Sequence, residues 1–431
     1  MSRYRPYPKY KDSGVEWLGK IPEHWEIGLL SNLFTNNKEK NSGMLNNNLL
    51  SLSYGKIVNK DIETSFGLLP ESFESYQIVH DGYIVLRLTD LQNDQKSLRT
   101  GFVTQTGIIT SAYVGLKKKS KFIGNEKYFY LYLHTFDIFK GFYGMGSGVR
   151  QSLNYDELKK LQFILPPINE QNSIVNFLDN ATCKIDTLIQ KQQNLIALLK
   201  EKRQALISHA VTKGLNPHVK MKDSGVEWLG EVPEHWEVKR IKFLFKIRKR
   251  IAGEEGYNVL SITQQGIKIK DIESNEGQLS MDYSKYQFAN IGDFAMNHMD
   301  LLTGYVDISQ FNGVISPDYR VFTLEDKNSF SKFYLYIFQN GYKNKIFYKF
   351  GQGSSQLGRW RLPTDEFNDF VFPYPPVQEQ QEIANYLENA TCKIDTLIAK
   401  AQKAIELLKE RRTALISATV TGKIDVRSVY E

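Results

Sequence analysis

An α+β fold is predicted, in which two lobes of short strands and short helices alternate with two long helices and the second half of the chain repeats the first. Three observations carry this. The decapeptide NATCKIDTLI stands at Asn180–Ile189 and again at Asn389–Ile398, 209 positions further on. Around each copy, apolar residues advance by threes and fours for five heptads, the pattern of helices that wind on each other in a coiled coil. Elsewhere the chain breaks into short apolar runs bounded by Gly, Asn and Asp, as small sheets do.

The repeat extends beyond the helices. KDSGVEWLG at Lys11–Gly19 returns unchanged at Lys222–Gly230, and both copies run into Pro-Glu-His-Trp-Glu, at Pro22–Glu26 and Pro233–Glu237. LLSLSYGKIVNKDIE (Leu49–Glu63) aligns with VLSITQQGIKIKDIE (Val259–Glu273), and SYQIVHDGYIVLRLTDL (Ser75–Leu91) with KYQFANIGDFAMNHMDL (Lys285–Leu301). The offset passes through 211, 210 and 206 in the lobes, then holds at 209 from Arg150 and Arg359 through both helices. Insertions therefore fall only in the lobes. One scaffold presents two different surfaces, while the helices keep their register.

Within the lobes, Tyr83–Leu88, Gly107–Leu116 and Tyr319–Leu324 are predicted strands, and Lys127–Phe142 and Ser331–Tyr342 are aromatic-rich helices packed on the sheet. Leu165-Pro-Pro-Ile168 and Tyr374-Pro-Pro-Val377 close the lobes, and their prolines mark the change to helix before Glu170-Gln171 and Glu379-Gln380. Gly214 and Pro217, within Thr212–Lys222, stop the first long helix. The divisions are residues 1–165 for the first lobe, 166–213 for the central helix, 214–374 for the linker and second lobe, 375–422 for the C-terminal helix and 423–431 for a tail.

The helical seam is expected through Ile174, Leu178, Ala181, Ile185, Leu188, Leu195, Leu199 and Leu206, and through Ile383, Leu387, Ala390, Ile394, Leu397, Ala401, Ala404, Leu408 and Leu415. Beside it lies a third apolar column: Val175, Ile189 and Ile196 in one helix, Ala384, Ile398 and Ile405 in the other. A two-stranded coil needs only the narrow stripe. The extra column either lies beneath the lobes or, on the sharper reading, receives a partner's helices.

Composition, at 41% hydrophobic and 24% charged, is that of an ordinary globular protein. No apolar run is long enough to span a bilayer and the N-terminus lacks a signal-peptide block, so no membrane role and a cytoplasmic location are expected. Cys183 and Cys392 are equivalent positions off the seam, read as reduced structural thiols. With seven scattered His residues they make no zinc motif. A net charge of +7 suits a polyanionic partner. Lysines and arginines cluster at Lys117–Lys119 with Lys121, at Lys239–Arg250, and at Lys343, Lys345 and Lys349, in places alternating with aromatics.

Motifs for chemistry are weak. Phe142-Tyr-Gly144-Met-Gly146 matches a loose methyltransferase cofactor-loop pattern but follows a helix where a strand is required, and it reads as a Gly-rich loop. Tyr374-Pro-Pro-Val377 lacks the acceptor that would make it an amino-methyltransferase motif. Glu157-Leu-Lys159 has no acidic partner for a nuclease site, and there is no Walker A sequence. The chain reads as a binding subunit without an active site.

The duplicated KDSGVEWLG and PEHWE phrases, LTDLQN and NHMDLLTG, the GIITSAY and GVISPDY pair, GSGVRQSL, and PPINEQ and PPVQEQ leading into the helices resemble the specificity subunit of type I restriction-modification enzymes over essentially the whole chain. The resemblance implies that each lobe is a target recognition domain reading one half of a split, asymmetric site in double-stranded DNA. It implies that the two helices are antiparallel, set the gap between half-sites and dock two methyltransferase subunits, with restriction subunits joining through the complex. S-adenosylmethionine and ATP are then expected on those partners, with no cofactor on this chain. It also places the tail from Ile424 near the N-terminal residues. Within that frame the base readers expected in the first lobe are Arg87, Gln92, Asn93, Arg99, Arg150 and Gln151, with Lys117, Lys118 and Lys119 on phosphates. In the second they are Asn297, His298, Gln352, Gln356, Arg359 and Arg361, with Lys249 and Arg250 on phosphates. A protein-binding scaffold with two variable lobes is the alternative.

Overall fold

The apolar runs pair into small antiparallel sheets, and each lobe makes the same set. The computed structural model describes residues 4–61, 72–94, 96–145, 152–272, 280, 282–353 and 360–427. Contacts divide the chain into two units, Met1–Lys191 with Ala404–Glu431, and Gln192–Lys403. The division falls within the helices. Each unit holds one lobe, the start of the helix that follows it, and the end of the other helix.

In the first unit a four-stranded sheet has the order Phe34–Asn36, Val114–Lys118, Ile84–Leu86, Thr100–Phe102. Two-stranded ribbons pair Gln77–Val79 with Gly107–Ile109 and Leu50–Ser53 with Lys56–Asn59. The expected strand over Gly107–Leu116 is thus two strands. Between them the chain turns, and the buried Gln77 amide donates to the carbonyls of Thr110 (3.1 Å) and Tyr113 (2.7 Å). The lobe helix, Glu126–Ile138, starts at Asn125, whose side chain accepts from the amides of Lys127 and Tyr128. It buries Tyr128, Phe129, Tyr132 and Leu133 against the sheet.

The second unit repeats this with strands Phe245–Arg248, Arg320–Leu324, Phe294–Met296 and Val306–Ile308. Gln287 takes the part of Gln77, donating to Ser316 (3.1 Å) and Tyr319 (2.7 Å). Its helix is Ser331–Lys343. Phe245, Phe294, Phe322 and Phe338 fill the core, with ring centroids 5.1 Å (Phe322–Phe338) to 5.9 Å (Phe294–Phe338) apart.

The repeated Pro-Glu-His-Trp-Glu phrase forms a joint under each lobe. Trp25 is fully buried and its indole N–H donates to Glu170 Oε2 (2.9 Å), which also accepts from the Tyr7 hydroxyl (3.1 Å). His24 Nε2 lies 2.7 Å from Glu170 Oε1. Trp236 and His235 hold Glu379 in the same way, at 3.0 and 2.8 Å. The neighbouring Gln171 and Gln380 accept from the amides of Asn125 and Phe330, both just before a lobe helix. Against the other side of each tryptophan lies the end of the other helix. Gly214 (φ +78°) has Trp236 and Pro233 within contact of a would-be Cβ, and Gly422 (φ +74°) has Trp25 and Pro22. Left-handed glycine suits a helix stop, and here a side chain would also collide with the joint. The tail stays in the first unit: Asp425 bridges Arg5, and Val426 is buried in that core.

The long helices span Ile168–Lys213 and Val377–Val420. Within each unit their halves run antiparallel, tied by ion pairs that the repeat relates to each other. Arg412 meets Asp186 (3.0 Å) in the first unit and Arg203 meets Asp395 (3.1 Å) in the second. The expected seam holds in the second long helix except at Leu397 and needs correction in the first. Leu188, Leu195 and Leu397 are 46, 44 and 49% exposed, whereas Ile189, Ile196, Ile398 and Ile405 are half-buried. The buried stripe passes through Ile174, Leu178, Ile185, Ile189, Ile196, Leu199, Ile207 and Ala210, in steps that keep the straight-helix period of about 3.6 residues. A strict heptad drifts about 20° per repeat from that line. After a few turns the third column has replaced the assigned one.

Candidate nucleic-acid interface

In the first lobe, strand Ile84–Leu86 delivers the chain into a long loop that returns at Thr100. Gln92 and Asn93 stand exposed at its tip, and the Asn93 amide donates to Asp90 Oδ1 (2.7 Å). Arg87 is half-buried, with its guanidinium 3.6 Å from Asp94. The Ser97 backbone amide and hydroxyl hold the Asp94 carboxyl at about 2, so it stays charged. Arg99, an expected reader, is fully buried. Its guanidinium donates to the carbonyls of Thr89 (2.9 Å), Asp90 (3.3 Å) and Asp94 and to the Tyr143 hydroxyl (3.4 Å). It cannot touch a base, and it lies behind the loop. Lys117 is exposed, Lys119 half-buried, and Lys118 is engaged by Glu126 and the Gly124 carbonyl. Arg150 and Gln151 lie outside the described residues.

In the second lobe the equivalent loop begins at Asn297 and His298, both half-buried. Gln352 and Arg361 are exposed and bonded to each other through their backbones, at 2.8 and 3.0 Å, and the next residue, Leu362, donates to the His298 carbonyl (2.9 Å). Four of the six readers expected in this lobe therefore lie together, while Gln356 and Arg359 fall outside the described residues. Burial, aided by the charges of Arg320 and Arg361, depresses His298 to about 3. At neutral pH it is an uncharged donor and acceptor, suited to a base edge rather than a phosphate. Lys249 is exposed. Arg250 is ion-paired with Asp293, so its charge is partly spent within the lobe.

Arg320 gave no sequence signal. It lies within a strand, buried, donating to the Leu362 carbonyl (3.1 Å) and the Thr364 hydroxyl (3.3 Å) with Phe367 beneath it at 4.5 Å. The ion pairs of the long helices did carry a signal: Asp186 and Arg203 recur as Asp395 and Arg412 at the repeat interval.

Of the expected partner column, Val175 and Ala384 are buried in the cores beneath the lobes and are unavailable to a partner. Ile189, Ile196, Ile398 and Ile405 are half-buried in the helices' own stripe. Apolar surface lies elsewhere. Leu188 and Leu407 in the first unit, and Leu195, Leu198 and Leu397 in the second, are exposed. Beside them each unit has a groove: Phe177, Ile185, Leu408 and Leu415 line one, and Leu206, Ala210, Leu215 and Tyr386 the other. Lys184 and Arg411 flank the first, Lys202 the second.

Two lobes of one scaffold with unlike polar loops, each resting on paired helices, define a two-headed binding protein. Residues 83–198 and 233–407 match the family described as type I restriction modification DNA specificity domain, and the chain belongs to that family. The specificity subunit of type I restriction enzyme MjaVIII from Methanocaldococcus jannaschii is 22% identical over 428 residues, 95% of each chain. The EcoKI specificity subunit of Escherichia coli is 19% identical over 305 residues, 64% of this chain and 62% of that one. Among solved structures, a chain from a type I R-M system has a TM-score of 0.65 at 12% identity, covering 93% of this chain and 98% of its own. The HsdS subunit from Thermoanaerobacter tengcongensis has 0.53 at 13%, covering 96 and 100%. These share the fold.

Proposed function

We propose that this chain is the non-catalytic reading subunit of a type I restriction-modification complex, each lobe recognising one half of a two-part asymmetric site in double-stranded DNA. The observation that carries it is the contrast between a repeated scaffold and unlike loops. In the first lobe Gln92 and Asn93 are exposed beside a half-buried Arg87, and in the second Gln352 and Arg361 are exposed beside a half-buried His298. Guanidinium and amide groups read purine edges, and an uncharged imidazole adds one donor or acceptor. Lys117 and Lys249 are placed to neutralise phosphates.

The helices set the spacing between half-sites, and the two grooves with their exposed leucines dock two methyltransferase subunits, their basic flanks choosing acidic rims. S-adenosylmethionine and ATP reside on the methyltransferase and restriction subunits, in the cytoplasm. Selection from random duplexes by the assembled complex is expected to return a gapped two-part consensus. Return of unselected sequence would leave the scaffold reading instead.

A further inference from the structure

At the position of Arg99 the second lobe has Tyr305. Pairing makes the comparison direct: the Arg87 amide donates to the Arg99 carbonyl (2.8 Å), and the equivalent Asn297 amide donates to the Tyr305 carbonyl (3.0 Å). The loop from Arg87 to Arg99 is four residues longer than that from Asn297 to Tyr305, which is the change of offset from 210 to 206. The short loop closes on itself, with Asp300 Oδ1 accepting the amides of Leu302 and Thr303, both at 3.0 Å. The long loop is wound around a guanidinium. Three of its carbonyls, of Thr89, Asp90 and Asp94, face inward and take their donors from Arg99. Asp90 sits there with φ +57°, a left-handed conformation that an L-residue holds only when its surroundings fix it.

The anchor is itself anchored. The Arg99 amide donates to Asp137 on the lobe helix. Tyr143 accepts from Arg99 Nε and donates to the Asp94 carbonyl (3.2 Å). Asp94 also caps the Lys96 and Ser97 amides, at 3.2 and 2.9 Å, and faces Arg87. The polar contacts that shape the loop around the exposed Gln92 and Asn93 thus converge on one buried side chain, while Leu88 and Leu91 pack beneath it in the core. The sheet does not need it, because the second lobe builds the same sheet without it.

Resting on the reading that this loop faces DNA, we propose that Arg99 is a positioning residue for specificity: it touches no base, yet it fixes which bases the first lobe accepts. A guanidinium has five donors in a rigid plane, and no other side chain can serve three diverging carbonyls and a hydroxyl at once. Without it the loop reorganises to find donors in water, and Arg87, Gln92 and Asn93 lose their common geometry.

The test uses the complex of this chain with its methyltransferase subunits, selecting from duplexes randomised in both halves. Arg99→Met is expected to lower base discrimination about tenfold in one half-site only, leaving the other half and the gap unchanged. Arg99→Lys, with a cation but fewer donors, should recover part of it. Loss spread equally over both halves, or no loss, would overturn the positioning role. Should Arg99→Met not fold, Tyr143→Phe decides: a smaller change in that same half supports the proposal, and an unaltered consensus overturns it. Absence of any two-part consensus with the unsubstituted chain would instead sink the DNA-reading function itself, and the proposal with it.

Discussion

Glu170→Gln tests whether the joint under the first lobe holds the central helix in place. The Glu170 side chain is 11% exposed and takes the Trp25 indole, the Tyr7 hydroxyl and His24 on two oxygens, with Arg427 3.9 Å away. Hydrogen bonds to a charged group contribute about 1.5 to 3 kcal/mol each. A glutamine keeps one acceptor oxygen and turns an amide N–H₂ toward the remaining donors, so about 3 kcal/mol is expected to be lost. Glu379→Gln is the internal control. That carboxylate is 25% exposed and, among the described residues, takes hydrogen bonds from Trp236 and His235 alone, so water covers part of the loss, and about 1.5 kcal/mol is expected. Hydrogen–deuterium exchange at the helix starts, residues 168–178 and 377–387, reads each joint separately. Protection should fall by roughly two orders of magnitude at the first start in Glu170→Gln, and by about one at the second in Glu379→Gln. Equal losses, or a larger one at Glu379, would refute the reasoning that enclosure and donor number set the strength of the joint.

Three further outcomes are expected. Burial pushes Asp137 up to about 6 and His134 down to about 4. The folded state keeps the Asp137 proton that the unfolded chain releases near 4, so this group makes stability fall as pH rises from about 4 to 6, by up to about 3 kcal/mol. His134 acts oppositely: the unfolded chain binds its proton below about 6.5, so stability rises with pH between about 4 and 6.5. Relative to the unsubstituted chain, the urea midpoint across that window should climb more steeply with pH in Asp137→Asn and less steeply in His134→Gln. Curves parallel to the unsubstituted chain would refute both. Arg412→Asp should cost no more than about 1 kcal/mol, with Asp186→Arg restoring most of it in a double-mutant cycle, since both partners are solvent-accessible. Leu407→Glu and Leu198→Glu, equivalent exposed positions, should each weaken methyltransferase docking at least tenfold by sedimentation while leaving thermal unfolding unchanged.

The duplication, the helices and the strand-rich lobes were legible because they depend on local pattern and on repetition. That Asn297, His298, Gln352 and Arg361 would lie near one another was legible for the same reason, as polar residues flanking apolar strands. Arg99 was misread on identical grounds. Its neighbours Thr89, Asp90 and Asp94 look like a wet loop, and the residues that hold it from outside the loop, Tyr143 at the guanidinium and Asp137 at the backbone amide, lie more than thirty positions away. Val175 and Ala384 were misassigned because a helix pattern cannot say which turns lie under a lobe. The exchange of seam columns in the first long helix came from imposing a 3.5-residue period where the burial follows 3.6. The joint was visible as a repeated phrase, but its partner Glu170 lies far along the chain, so the phrase did not reveal what it grips.

The first joint is a dovetail cut from distant parts of the chain. Trp25 is walled on one side by Glu170 and on the other by Gly422, and Val426 plugs the same core, whereas the second joint is completed by residues that precede it directly. Loss of the segment from Gly422 to Val426 would therefore strike at residue 25. Such a deletion would free Trp25 and leave its twin, Trp236, walled by Gly214 as before.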